Sequence, residues 1–256
     1  MDEKKTVIVS GGTYGVGRAI VVELAARGWR VVAFGLEARQ PGSAAQAGIA
    51  DTRAALGARG LAAELLEADV ADEADVARVV AAAGPGLAGL VNNAAIRPSG
   101  TILETDPAMF ERVLRVNLVG PYLLARAALP LMIAAGGGTI VNIGSGAAWG
   151  KPGIAAYGAA KAGLAGLSAA MAYDHLAERI RVNQVVPGPG TASGMVEAMA
   201  GQGRAPARTV TGRPTAPADV ARAVAFLLSD DAAQISGTVL DVGCFAGQGG
   251  VGQPRA

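Results

Sequence analysis

The chain has 256 residues, 51% of them hydrophobic, enough for a sizeable core without disulfide or metal staples, in one large α/β domain rather than two small ones. A net charge of +1, with Lys and Arg scattered, gives no case for nucleic acid or an anionic membrane as a partner. One cysteine, Cys244, excludes an internal disulfide and fits a reducing cytoplasm; it reads as a small packed thiol rather than a nucleophile.

Met1-Asp2-Glu3-Lys4-Lys5 leads directly into a strand over 6–10, too short for the apolar core of a signal peptide. No apolar run approaches the roughly 18 residues of a membrane span. A helix over 16–27 places Val16, Ala19, Ile20 and Leu24 on one face. A strand over 30–34 follows, then a Gly/Pro/Ser-rich turn at 40–43 and a helix near 44–58. Next come a strand over 62–67, a helix over 72–83 opened by Asp72, and a strand over 87–91. Asp106-Pro107 has the form of an N-cap and first-turn pair. Helical pattern runs from there to about 135, bent or broken at Gly120-Pro121. A strand over 139–143, a helix over 154–177 and a strand over 180–186 lead into a Gly/Pro-rich loop at 187–213, whose length points to function. A helix over 217–229, a strand over 237–242 and a Gly-rich tail complete the chain. This alternation predicts a doubly wound parallel sheet of about seven strands with helices on both faces, in one domain.

Two segments carry chemistry. Ser10-Gly11-Gly12-Thr13-Tyr14-Gly15-Val16-Gly17 lies between the first strand and first helix. Glycines there let the backbone approach a pyrophosphate, and the helix N-terminus offers free N–H groups to the anion. The second runs from Ser145 to Lys161. Tyr157 and Lys161 lie four apart, on one helix face. Tyrosine, with an ordinary pKa of about 10, is a poor proton donor or acceptor at neutral pH; a neighbouring ammonium favours its phenolate. Ser145 supplies a hydroxyl that could hold a substrate oxygen. Taken alone, either segment could be a plain turn or a surface pair.

Together they resemble the short-chain dehydrogenase/reductase family, over about residues 6–242. The Gly-x-x-x-Gly-x-Gly spacing at Gly11, Gly15 and Gly17 is similar to that family's turn. Asp69-Val70, Asn92-Asn93-Ala94-Ala95 and Asn117 fall in the family's order. The resemblance implies a compact Rossmann-type NAD(P)-binding domain and a catalytic tetrad of Asn117, Ser145, Tyr157 and Lys161. Tyr157 would be the general acid/base, Ser145 would orient the substrate oxygen, Lys161 would depress the Tyr157 pKa and bind ribose hydroxyls, and Asn117 would hold a relay water. The cofactor would meet Gly11, Thr13, Tyr14, Gly15, Val16, Gly17, Gly35, Leu36, Glu37, Asp69, Val70, Asn93, Ala94, Ala95, Tyr157, Lys161, Pro187, Gly188 and Thr191, with Val186 beside them. The substrate would meet Arg97, Ala147, Trp149 and Met195, with Ile96, Ile154 and Met199 nearby. Arg97 either faces solvent or, pointing inward, binds a carboxylate or another polar group. No metal is implied.

The chain departs from the family pattern at Ala95, where the family has Gly, and in having Ser145 twelve residues before Tyr157, one fewer than usual. Thr191 comes one position early, with Ala192 in the usual place and Ser193 as a substitute. Gly243-Cys244 stands where Gly-Gly is frequent. Gly35 and Leu36 end the second strand without the acidic residue of NAD-preferring members or a basic one for NADP. Glu37 could reach a ribose diol and Arg39 could pair with a 2′-phosphate; the balance favours NAD(H) over NADP(H) narrowly, with a surface Glu and Arg of no cofactor role as the remaining alternative. The lone His175 reads as structural or interfacial. The family's helix pairing across a dyad would use Ala125, Ala127, Ala128, Ala165, Gly166, Ala169 and Ala170 in a homodimer or homotetramer, unless these only pack within the subunit. The reading is an NAD(P)-dependent cytoplasmic oxidoreductase of a secondary alcohol or ketone, with a 3-oxoacyl-thioester reductase as one version. A non-catalytic nucleotide-binding sensor or scaffold is the alternative, and a sugar epimerase or dehydratase is disfavoured for want of a C-terminal extension.

Overall fold

The computed structural model describes residues 4–36, 48–188, 191 and 209–243. Its centre is a sheet of seven parallel strands in the order β3-β2-β1-β4-β5-β6-β7. They are β1 (Thr6–Ser10), β2 (Arg30–Gly35), β3 (Glu64–Glu67), β4 (Leu87–Asn92), β5 (Gly138–Ile143), β6 (Ile180–Val186) and β7 (Val239–Asp241). The described helices are α1 (Gly15–Ala26), α2 (Gly48–Gly57), α3 (Glu73–Ala83), α4 (Pro107–Leu114), α5 (Gly120–Ala134), α6 (Ala155–Asp174) and α7 (Pro217–Leu228).

Alternate strand residues point to opposite faces, so one strand feeds two cores. Val7 and Val9 of β1, with Val31 and Ala33 of β2, pack against Ile20, Val21 and Leu24 of α1, Leu56 of α2 and Val220, Val224 and Leu228 of α7. Ile8, Val32 and Phe34 pack the other way, against Val76, Val79 and Val80 of α3, Leu124, Ala128 and Met132 of α5 and Met171 of α6. Burial on both faces explains why β1 reads as a continuous apolar run. Strands β2 and β3 lie on one side of β1 and β4 to β7 on the other. Crossovers therefore leave β1 in opposite directions and open a crevice at the carboxyl ends of β1 and β4.

Helix entries follow local chemistry. The Asp72 carboxylate accepts from Asp75 N–H at 2.9 Å, and the Asp106 carboxylate from Met109 N–H at 2.8 Å, ahead of Pro107. Several elements are shorter than expected: β3 starts at Glu64 rather than 62, α6 ends at Asp174 rather than 177, and β7 is confined to Val239–Asp241. Helix α2 is described from Gly48; residues 44–47, like the turn at 40–43, lie outside the described residues.

The expected break at Gly120-Pro121 takes another form. The helix continues through it, widened into a π-turn over Arg115–Val119 that Gly120 N–H closes on the Arg115 carbonyl. Pro121 has no N–H, so the Asn117 carbonyl loses its ordinary helical partner, and a wider turn absorbs the loss. The resulting run, Pro107–Ala134, is the one described helix long and apolar enough to cross a membrane, which the sequence pattern had not suggested. Half of its most apolar stretch is buried inside the fold, against the cores described above.

Candidate active site

The crevice begins at the glycine turn. Gly11 has a φ of +61°, open to glycine at little cost. At Gly17 a β-carbon would overlap the Gly11 carbonyl oxygen and stand 2.6 Å from Asn93 Nδ2. The turn is thus folded back on the first turn of α1 with no room for a side chain. Asn93 holds it there, with Nδ2 donating to the carbonyls of Ser10 at 3.1 Å and Gly11 at 3.0 Å. Ser10 completes the junction, its Oγ accepting from the N–H groups of Asn93 and Ala94 at 3.0 and 3.1 Å. Tyr14 occupies the N-cap of α1 in extended backbone and makes no side-chain cap bond. The helix's first N–H groups are therefore uncapped by a side chain, the arrangement an anion needs. Ala94 and Ala95, next along, are half-buried at the exit of β4.

Gly35 has a packing reason. A β-carbon there would lie 2.6 Å from Thr13 Oγ1, so the end of β2 is bare because buried Thr13 fills the space. The Thr13 carbonyl accepts from Thr52 Oγ1 at 2.5 Å and from Arg18 Nη2 at 3.3 Å, which ties α2 to the turn. Leu36 is exposed. Asp69 shapes the exit of β3: its Oδ1 accepts from Ala71 N–H, and its own N–H donates to the Asp75 carboxylate at 2.8 Å. Val70 is buried where a β-carbon on Gly120 would meet it. Across the crevice, Gly188 and Gly243 pack backbone to backbone, and Thr191 Oγ1 donates to the Gly188 carbonyl at 2.7 Å beside Pro187.

Helix α6 carries Tyr157 and Lys161, the pair singled out by spacing. Tyr157, Lys161, Leu164 and Ser168 form one buried stripe of this helix. Lys161 is almost fully buried, and its Nζ donates to the Ile143 carbonyl at the end of β5 at 2.6 Å. Burial lowers its pKa to about 8. The Nζ stands 5.7 Å from the centre of the Tyr157 ring. Burial raises the Tyr157 pKa, while a hydrogen bond with the Ser145 hydroxyl and the charge of Arg97 pull it back. The cationic pull on the phenol comes from Arg97 rather than from Lys161, the residue expected to supply it. The Ser145 Oγ also accepts from Ala147 N–H at 3.2 Å, opening the short 3₁₀ turn Gly146–Trp149. Ala147 and Ile154 pack against Tyr157.

Asn117 lies at the middle of the π-turn, fully buried. Its side chain makes two bonds to one residue: Oδ1 accepts from Ile96 N–H and Nδ2 donates to the Ile96 carbonyl, both at 2.8 Å. The side chain is spent on holding the loop after β4, while the Asn117 backbone carbonyl is the one that Pro121 leaves without an ordinary helical partner. Trp149 is half-exposed and Val186 buried. His175 caps the end of α6, with Nδ1 3.8 Å from a Glu178 carboxylate oxygen. Glu37, Arg39, Ala192, Ser193, Met195, Met199 and Cys244 lie outside the described residues.

One cluster escaped sequence reasoning. Ser168 Oγ donates to the Leu164 carbonyl at 2.7 Å and accepts from Asn142 Nδ2 at 2.8 Å and Gln184 Nε2 at 3.1 Å. Asn92 Nδ2 in turn donates to Asn142 Oδ1 at 2.7 Å. This buried ladder binds β4, β5 and β6 to the helix bearing Tyr157. The available signal was spacing: Ser168 follows Lys161 by seven residues, two turns on the same face.

Residues 11–244 match a family model described as enoyl-(acyl carrier protein) reductase. The chain belongs to the short-chain dehydrogenase/reductase family. Within this family it is 36% identical to 2-(S)-hydroxypropyl-CoM dehydrogenase 3 of Xanthobacter autotrophicus over 252 residues, covering 94% of this chain and 95% of that one. It is 38% identical to cis-4-hydroxycyclohexanecarboxylate dehydrogenase of Sinomonas cyclohexanicum, covering 93% of this chain and 95% of that one. A solved structure of actinorhodin polyketide ketoreductase with NADPH superposes with a TM-score of 0.83 at 28% identity, covering 94% of this chain and 96% of that one. Oxidoreductase chemistry on a Rossmann-type sheet is thus common to this dehydrogenase/reductase chain and its named relatives.

Proposed function

We propose that this chain is an NAD(P)(H)-dependent oxidoreductase interconverting a secondary alcohol and a ketone, with Tyr157 as general acid/base. The observation that carries the reading is the pairing of the Tyr157 and Ser145 hydroxyls beside buried Lys161, next to a glycine turn with no space for side chains. The residues fit a dinucleotide. The uncapped start of α1 with Gly11 to Gly17 would hold its pyrophosphate, Gly35 and Leu36 with Asp69 and Val70 its adenosine end, and Pro187, Gly188 and Thr191 its nicotinamide end. When bound, the nicotinamide supplies or accepts the hydride.

The chain's own residues do the rest. Ser145 and Tyr157 present two hydroxyls to one substrate oxygen and fix its position. In reduction Tyr157 gives its proton to the oxygen as negative charge develops there; in oxidation it takes that proton back. Lys161, held by the Ile143 carbonyl, orients toward the ribose hydroxyls and the phenol. The carbonyl of Asn117, left by Pro121 without its ordinary helical partner, holds a water through which Tyr157 is reprotonated. Asn93 and Ser10 act as positioning residues for the turn. The named relatives include an alcohol dehydrogenase acting on a hydroxy carboxylate, which supports a small alcohol as substrate.

The same reading makes residues 1–256 one domain with a substrate loop at about 187–213, in a cytoplasmic homodimer or homotetramer. Gly166, Ala169 and Ala170 are exposed on α6 and would allow close approach of a second copy, whereas Ala125 and Ala128 are buried within the subunit. Titration with NADH and NADPH, read by nicotinamide fluorescence, tests the cofactor assignment, and NADH should bind somewhat tighter. Absence of binding by either would remove the reading, and binding without turnover of any carbonyl substrate would favour the non-catalytic nucleotide-binding alternative.

A further inference from the structure

The stretch from Ile96 to Gly100 is anchored at both ends. Ile96 is held by the two hydrogen bonds from Asn117. Gly100 N–H donates to the Gly153 carbonyl at 2.8 Å, and its carbonyl accepts from Ala155 N–H at 3.3 Å, at the start of α6. Between these clamps Arg97 precedes Pro98, which restricts it to extended backbone. Its guanidinium is delivered over the Tyr157 ring, with Cζ 5.9 Å from the ring centre. Arg97 is half-buried, and the ring it stands over packs against Ala147 and Ile154. A loop arginine usually waves in solvent; this one is aimed at the reacting oxygen's partner.

A half-buried guanidinium over an aromatic ring discriminates by charge. A neutral substrate entering there strips water from the cation and returns nothing. A carboxylate or sulfonate returns two parallel charge-assisted hydrogen bonds. We infer that Arg97 is a specificity-determining residue that recognises an anionic group on the substrate, a carboxylate or sulfonate within a few bonds of the reacting carbon. The preferred substrates are then short hydroxy acids and their oxo acids. This inference rests on the oxidoreductase reading above and narrows it.

The test compares acids with their uncharged esters in the same assay: acetoacetate against methyl acetoacetate, and levulinate against methyl levulinate, at low salt with saturating NAD(P)H. Wild type should prefer each acid in kcat/KM. Arg97→Gln should lower the acid-to-ester ratio by roughly 10- to 100-fold, mostly through KM for the acid, and Arg97→Lys should restore part of it. NAD(P)H titration of each variant shows that the fold and cofactor site survive. Equal use of acid and ester by wild type, or loss of both alike in Arg97→Gln, overturns the inference and leaves the oxidoreductase reading standing; the second result would make Arg97 a support for the Tyr157 phenolate. If none of the four probes turns over, binding of acetoacetate to the NAD(P)H complex decides: binding lost in Arg97→Gln supports the inference, and binding no tighter than that of the ester overturns it. Failure to bind NAD(P)H at all removes both readings together.

Discussion

Replacing Ser168 by Ala removes one hydroxyl that satisfies two buried amides. Asn142 Nδ2 and Gln184 Nε2 both donate to it, and those residues are 0% and 3% exposed. Neither amide can turn to water, so each loses its acceptor at a cost of about 1–3 kcal/mol. The Leu164 carbonyl, which accepts from Ser168, sits inside α6 and keeps its helical bond, so its loss adds little. The expected destabilisation is therefore about 2–6 kcal/mol, and for a chain of this size each kcal/mol lowers Tm by about 2–4 °C. Scanning calorimetry of the cofactor-free protein should show Ser168→Ala melting roughly 4–24 °C lower. The pairing with Asn142→Leu makes the test sharper. If the two side chains share one network, the double variant should be less destabilised than the two singles combined, by at least about 0.5 kcal/mol. A Tm within about 2 °C of wild type, or strict additivity, would show that the ladder is incidental.

Two further outcomes follow from the site. Gly17→Ala should abolish NAD(P)H binding and lower stability by several kcal/mol, about what backbone strain with lost hydrogen bonds costs, because its β-carbon overlaps the Gly11 carbonyl and crowds Asn93 Nδ2; wild-type affinity in fluorescence titration would mean that the turn is not the cofactor cradle. Lys161, with its pKa lowered from 10.5 to about 8, gives a pH signature. The folded state binds this proton less tightly than the unfolded state, so burying the charged lysine costs stability below pH about 8, and the cost is relieved between about 8 and 10.5. Denaturant unfolding of wild type and Lys161→Met over that range should show the wild type gaining on the variant as pH rises, and a difference flat in pH would contradict the buried, charge-penalised lysine.

Much of this architecture is legible in the chain. Continuous apolar strands such as Val7-Ile8-Val9 announce burial on both faces, and the four-residue spacing of Tyr157 and Lys161 survives intact as one side of α6. The glycine turn is readable because backbone proximity needs a residue type. What is not legible depends on contacts between distant segments. Ser168 meets Asn142 and Gln184 across three elements, and no local pattern ties them. Gly35 looked like a missing cofactor ligand, yet Thr13, from another turn, accounts for it. Pro121 signals trouble in its helix, but widening to a π-turn and breaking relieve the same lost hydrogen bond, so sequence does not choose between them. Arg97 is the same kind of case: remote residues hold its loop at Ile96 and Gly100, and no local pattern announces a guanidinium over the Tyr157 ring.

The proposed function turns on Tyr157 moving the proton that accompanies hydride transfer. It is tested most directly by offering the protein nicotinamide cofactor deuterated at C4 together with a short oxo acid, and analysing the product alcohol by mass spectrometry. Wild type should place deuterium on the carbinol carbon, and Tyr157→Phe should bind the cofactor yet transfer label at least about a hundredfold more slowly, as loss of a general acid demands. Label transfer by Tyr157→Phe at close to the wild-type rate would contradict the claim.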